Sequence, residues 1–403
     1  MRVALTDFRW PLDPALARGR DETTLARALY ATPLRVDPAS GAPVPGLCSG
    51  WAASNEFREW RFTCRSAPSI AAALRRVARL RAAPLHWLFA DARVGAPSAT
   101  QLVVRLPYSW RRFPYALTTV AAAPRFVPGP FRLVSGSAKR VVVRNASLTV
   151  EFRLYPRRGS ERAFERGKVD EAPVPLGEIA ATRARVGDVV RVRTLLAIDG
   201  VVLRRLLPEL RRVYWSTADR GDYAELVAES EGAAAPSLVG AKVKGSPRAF
   251  RRAVGEIHSL PRMVVRIGVP ADPTLRYGAR ILYAQWRDVG LGPELVTEPA
   301  RALDGSFGRR FAAYPQEEAL PAELALGAGL GSRPLLLGAL AATDQKAALE
   351  EFDGDLRAAA RFVSISWVVD ARLVSPRLRG WREDALGDVD YSVVRSLASS
   401  RRP

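Results

Sequence analysis

The residues that most often do chemistry are scarce in this chain, with two histidines, two cysteines and two methionines among 403 residues. His86 and His258 lie far apart on unrelated elements, and no Cys/His/Asp cluster has metal-ligand spacing. A G-x-S-x-G elbow and a phosphate-cradling glycine loop are both missing. The acid pairs Glu317-Glu318 and Glu350-Glu351 are adjacent rather than helically spaced, as a solvated surface would have them. These absences argue against an enzyme, and no cofactor or metal is expected. Nor does any run approach the ~20 consecutive apolar residues that a membrane helix needs.

Lysine is also rare. Lys139, Lys168, Lys242, Lys244 and Lys346 are the only ones among 61 basic residues, so arginine carries the formal charge of +20. Nucleic-acid binding would call for a clustered basic stripe or tail. These arginines are instead spread in pairs such as Arg75-Arg76, Arg204-Arg205 and Arg251-Arg252, which fit the solvent faces of amphipathic helices. No nucleic-acid partner is expected. With 48% apolar and 25% charged residues the composition is that of a soluble globular protein. At 403 residues the chain is too long for one ordinary core and suggests two lobes.

The two cysteines, Cys48 and Cys64, are symmetric about Glu56 in a segment that reads as a hairpin: strand 47–53, turn 54–58, strand 59–65. Residues equidistant from a hairpin's centre face each other with Cβ atoms ~4.5–5.5 Å apart, near the separation a disulfide requires. A bridge would imply an oxidising compartment. Two buried free thiols are the alternative, and the bridge is favoured. The chain opens directly on a strand, Arg2-Val3-Ala4-Leu5, with no charged-then-apolar leader. Either the protein is cytosolic or an export signal lies upstream of this start.

Strands and helices mix throughout, without repeats. Residues 148–154 alternate as a half-buried strand. Leu275, Ala279, Leu282, Trp286 and Val289 give residues 274–289 a helical period that Gly290 stops. A strand at 263–269 precedes this helix and another at 294–297 follows, which predicts a parallel β-α-β unit. Ile70, Leu74, Val77 and Ala78 predict another helix, started near Ser66 or Ser69. Strand character returns in residues 362–391.

Several phrases in order resemble the family 5 solute-binding proteins of ABC importers, the dipeptide-, oligopeptide- and nickel-binding type. They are Arg2-Val3-Ala4-Leu5, Leu12-Asp13-Pro14, the stretch 24–34, Val44-Pro45-Gly46-Leu47 with Trp51, and Trp60-Arg61-Phe62. Gly129-Pro130-Phe131, Val143-Arg144-Asn145, residues 164–170, the 274–290 helix and Arg379-Gly380-Trp381 continue the pattern over nearly the whole chain. The chain is shorter than usual between Pro321 and Ala360, and the family's "HDG" loop after Arg65 is absent. The resemblance implies an α/β, two-lobed periplasmic binding protein of type II (cluster C-like), with mixed sheets and a hinged cleft. Lobe I would comprise residues 1–193 and 362–403, and lobe II residues 194–361. It also implies an exported monomer, often a lipoprotein, that hands a small-molecule or short-peptide ligand to an ABC permease in the membrane. A cytosolic ligand-sensing or scaffold protein reusing the fold is the alternative.

The same resemblance nominates ligand-binding residues. Arg18 and Arg20 lie in the loop after "LDP", with surface arginines as the plain alternative. Trp87 would form an apolar wall or stacking surface, unless it is a core tryptophan. Arg125 resembles an arginine near the ligand in some relatives. Arg310-Phe311-Ala312-Ala313-Tyr314-Pro315 looks like the "W-x-A-D-Y-x-x-P" motif of peptide binders, with Arg310 for the Trp and Ala313 for the Asp. That aspartate receives a peptide's α-ammonium, and burying an ammonium without a counter-charge costs several kcal/mol. Weak recognition of a free peptide N-terminus follows. Arginines facing the cleft would instead favour a carboxylate or phosphate.

Overall fold

Period-two alternation marks the strands Glu59–Cys64 and Thr149–Leu154. The computed structural model describes residues 1–37, 40–120, 129–155, 157–229, 233–239, 247–260, 263–299 and 302–397. The chain forms two units. One is Met1–Arg193, Ala313–Gln316 and Asp370–Pro403; the other is Thr194–Ala312 and Glu317–Val369. Two long strands, Val190–Leu203 and Phe362–Val374, run across the boundaries of this division.

In the first unit the strand Arg2–Leu5 lies parallel to both Thr149–Leu154 and Glu171–Pro173. A parallel strand flanked on both sides is buried on both faces, and Val3, Ala4 and Leu5 are all fully buried. Thr149–Leu154 keeps the expected alternation, Val150 and Phe152 inward, and pairs antiparallel with Arg140–Arg144, which pairs with Arg132–Ser137. Helix Gly19–Leu29 packs Leu25, Ala26 and Leu29 into the same core as Val3, Phe152 and Tyr391.

A separate four-stranded sheet holds the cysteine hairpin. Its strands, Cys48–Ser54 and Glu59–Cys64, pair with Cys48 opposite Cys64. Asn55, Glu56 and Phe57, all at positive φ, make the turn. Helix Ala67–Arg79 buries Ile70, Leu74 and Val77 as expected and leaves Arg75 and Arg76 exposed. It starts at Ser66, one of the two serines expected there. Ser66 occupies the cap position at φ 63°, and its side chain makes no capping hydrogen bond.

The second unit contains the β-α-β unit. Strand Val265–Val269 runs parallel to Pro293–Thr297, with helix Pro273–Asp288 as the crossover. Asp272 caps the helix by accepting the N–H groups of Thr274 and Leu275 at 2.8 and 2.9 Å. Gly290, at φ 93°, follows its end. Val265–Val269 also pairs parallel with Gly305–Phe311, which pairs antiparallel with Val190–Leu203. Trp286 lies edge-on to Tyr214 at 4.8 Å and donates to the Tyr214 carbonyl oxygen. Arg204-Arg205 was expected on a helix. It falls in the connection after Val190–Leu203, because helix Pro208–Thr217 begins later at a proline. Among the described residues, no helix is long and apolar enough to cross a membrane.

Candidate ligand-binding site

Two of the nominated residues meet in the first unit through a third that sequence reasoning missed. Trp87, on the short helix His86–Phe89, stacks on Trp110 with ring centroids 6.1 Å apart and planes 21° apart. Tyr314 approaches the same Trp110 at 5.8 Å. Tyr314 belongs to Ala313–Gln316, a short segment of the first unit whose chain neighbours belong to the second. Side chains of the first unit hold that segment. Thr119 Oγ1 donates to the Ala313 carbonyl at 2.9 Å, and Arg112 Nη1 donates to Gln316 Oε1 at 2.9 Å. The only sequence signal for Trp110 was the local density of aromatics, Tyr108, Trp110, Phe113 and Tyr115.

The chemistry of this cluster is uneven. Trp110 and Tyr314 are fully buried. The indole N–H groups of Trp87 and Trp110, and Nδ1 of His86, are shielded from solvent and have no hydrogen-bond partner. A buried donor left unmade costs about 1–3 kcal/mol. An acceptor brought by a ligand or a water molecule would relieve that cost. Of the three rings only that of Trp87 is partly exposed.

The nominated arginines Arg18, Arg20 and Arg310 make other contacts. Arg18 is exposed, and its Nη2 donates to the Ala82 carbonyl at 2.5 Å. Arg20 is buried, and three carboxylates engage its charge. Its Nη2 is 2.7 Å from Glu383 and 3.2 Å from Glu171, and its Nε is 3.0 Å from Asp370. Arg372 joins the cluster, 3.1 Å from Asp370 and 3.5 Å from Asp21. Trp381 and Tyr391 donate to Glu171 Oε2 at 2.7 and 2.8 Å.

Two guanidinium groups thus sit among four buried or half-buried carboxylates. Loss of solvation, with Asp370 and Glu171 adding repulsion, pushes the Glu383 carboxyl up to about 8 despite Arg20. Beside it, Arg27 pairs with Asp384 and Asp388 at 2.5 and 3.2 Å. Burial raises Asp388 to about 6.

In the second unit, Arg310 is half-buried, with Nη1 3.5 Å from Glu323 Oε1, and burial holds its pKa below the usual arginine value. Its neighbour Arg309 grips the buried Asp199 through Nε and Nη2 at 2.8 and 3.0 Å, and Tyr223 donates to the same carboxylate. Arg125 lies outside the described residues. Cys48 and Cys64 form a disulfide. Among the described residues, no group of three or more His, Cys, Asp or Glu is placed to hold a metal ion.

Neither a protein-family model nor a curated protein sequence matches this chain. Solved structures do. Haemophilus influenzae OppA, in complex with the peptide RPPGFSPFR, is similar at a TM-score of 0.80 and 15% identity, over 98% of this chain and 99% of that one. The Escherichia coli murein tripeptide binding protein MppA is similar at 0.80 and 15%, over 99% and 98%. The substrate-binding domain of an oligopeptide ABC transporter from Bacillus anthracis is similar at 0.78 and 11%, over 98% and 99%. The chain therefore has the α/β fold of the substrate-binding proteins of ABC importers. MppA is named as a binding protein and the Bacillus anthracis chain as a substrate-binding domain.

Proposed function

We propose that this chain is the solute-binding component of an ABC importer. It works outside the cytoplasm, takes a peptide-like or small organic ligand between two lobes, and delivers it to a membrane permease. The observation that carries the reading is the meeting of Trp87 and Tyr314 on Trp110, with two indole N–H groups lacking an acceptor, in a chain whose fold is that of such binders over nearly its full length. The lobes are read as residues 1–193 with 362–403, and residues 194–361. Arg18 and Arg310 are the basic residues proposed to favour an anionic group on the ligand. Arg20, although nominated with them, has its charge engaged by Glu171, Asp370 and Glu383, so its proposed part is to hold the first helix rather than to meet the ligand directly. The disulfide supports an oxidising compartment, and an exported, lipid-anchored monomer fits it. Ala313 stands where peptide binders carry an acid, so free peptide N-termini should bind weakly.

The test is a thermal-shift screen against short peptides and small anionic metabolites, since a ligand that binds only the folded form raises the melting temperature. A ligand whose effect disappears in Trp87→Ala and Tyr314→Ala supports the reading. A ligand indifferent to both substitutions moves the site elsewhere.

A further inference from the structure

The ring neighbours of Trp110 have two origins. Trp87, Tyr108 and Phe113 come from the stretch of chain around it, with centroids 6.1, 5.9 and 6.5 Å away. Tyr108 and Phe113 are buried in the first unit, and Trp87 sits on a helix anchored by the buried Leu88 and Phe89. Moving any of these three disturbs close-packed core. Tyr314, at 5.8 Å, comes from Ala313–Gln316. That segment follows strand Gly305–Phe311 and precedes helix Ala319–Ala322, both of the second unit.

The segment is tied inward by its own turn and outward by side chains. The Gln316 N–H donates to the Tyr314 carbonyl and Gln316 Nε2 to the Pro315 carbonyl, both at 2.8 Å. Just before it, the Ala312 N–H donates to the Leu196 carbonyl, within the second unit, at 2.8 Å. The first unit reaches its two ends through Thr119, bonded to the Ala313 carbonyl, and Arg112, bonded to Gln316 Oε1. Net of competition from water, one such bond shifts an equilibrium by about tenfold. A short irregular segment held in this way opens more readily than a core strand. The indole N–H of Trp110 beneath it is shielded and has no hydrogen-bond partner. An acceptor can reach that group if a covering ring moves, and Tyr314 is the ring whose release leaves the first-unit core in place.

We propose that Ala313–Gln316 is a strap over Trp110, with Arg112 and Thr119 as its positioning residues, and that local release of the strap admits a small acceptor-bearing molecule to the Trp110 indole. The identity of that molecule as a transported solute rests on the importer reading; the release of the strap does not.

Two readouts on the whole chain, both without a transported solute, test the strap apart from that reading. The first is hydrogen exchange by mass spectrometry. Exchange of the Ala313, Tyr314 and Gln316 amides should be insensitive to low urea, as local opening is, while strand Val190–Leu203 exchanges through urea-sensitive unfolding. Arg112→Ala and Thr119→Val should each speed exchange in the segment by about fivefold or more, and Thr119→Ser, which keeps the hydroxyl, should exchange like wild type. The second readout is quenching of tryptophan emission by acrylamide, a small amide whose carbonyl is an acceptor. The Trp110 share, taken by difference from Trp110→Phe, should rise in step with segment exchange in the two variants. Segment exchange that follows urea together with Val190–Leu203 overturns the strap in the wild type alone, whatever the variants do. So does exchange unchanged in both variants, and so does faster exchange without added quenching, which would mean that the segment opens away from Trp110.

Discussion

Replacing Glu383 by Gln tests how the buried charges of the first unit are balanced. Glu383 is 5% exposed and lies 2.7 Å from Arg20. With all carboxyls ionised, Asp21, Glu171, Asp370 and Glu383 carry four negative charges against the two positive charges of Arg20 and Arg372. Holding a proton on Glu383 reduces that excess, in keeping with its pKa near 8. An unfolded glutamate titrates near ~4.3. The folded value is raised, so this group's stability contribution is fully present below about pH 4 and is lost as pH rises through about 8. The slope is at most about 1.4 kcal/mol per pH unit, and integrated over that window it amounts to about 5 kcal/mol.

Urea unfolding between pH 5 and 9 measures it. Wild type should lose stability steadily over this range, while Glu383→Gln, which mimics the neutral acid, should be flatter by close to one proton. At pH 6 the variant should already be the more stable by about 2 kcal/mol, the loss the wild type has accumulated above its unfolded value of ~4.3. At pH 9 the gap should be wider. Identical pH slopes in the two proteins would refute the reasoning.

Further outcomes follow from other contacts. Asp388, raised to about 6 by burial, should add a second loss of stability between about pH 4 and 6, which Asp388→Asn removes from the same unfolding curves. Arg309→Ala leaves the buried Asp199 without its paired cation and should cost about 3–5 kcal/mol, read from the denaturation midpoint. Reducing Cys48–Cys64, or changing both to Ser, opens a loop with a sequence separation of 16. About 3 kcal/mol should be lost, and thiol titration should find no free thiol before reduction. Asp272→Ala removes the acceptor for two helix N–H groups and should cost about 1 kcal/mol without affecting ligand binding.

Local pattern made some of this architecture legible. The symmetric spacing of Cys48 and Cys64 placed them opposite each other, because strand pairing maps sequence distance from a turn directly onto space. The 3.6-residue period of Leu275 to Val289, closed by Gly290, carried the β-α-β unit. Non-local contacts were not legible. Arg20 reads as a surface arginine until Glu171, Asp370 and Glu383 arrive from far along the chain. Charged residues carry no periodic sign of burial. Trp110 sits in no motif, and only the fold brings Trp87 and Tyr314 to it. Ser66 looked like a cap because of its residue type, but its left-handed backbone leaves no capping bond.

The most direct measurement is calorimetric titration of short peptides and small anionic organic molecules into the wild-type chain and into Trp87→Ala/Tyr314→Ala. The account predicts at least one saturable, one-to-one ligand for the wild type. At a hundredfold excess over its dissociation constant, that ligand should stabilise the fold by about 2.7 kcal/mol, and the double variant should not bind it. Full-strength binding to the double variant would contradict the account.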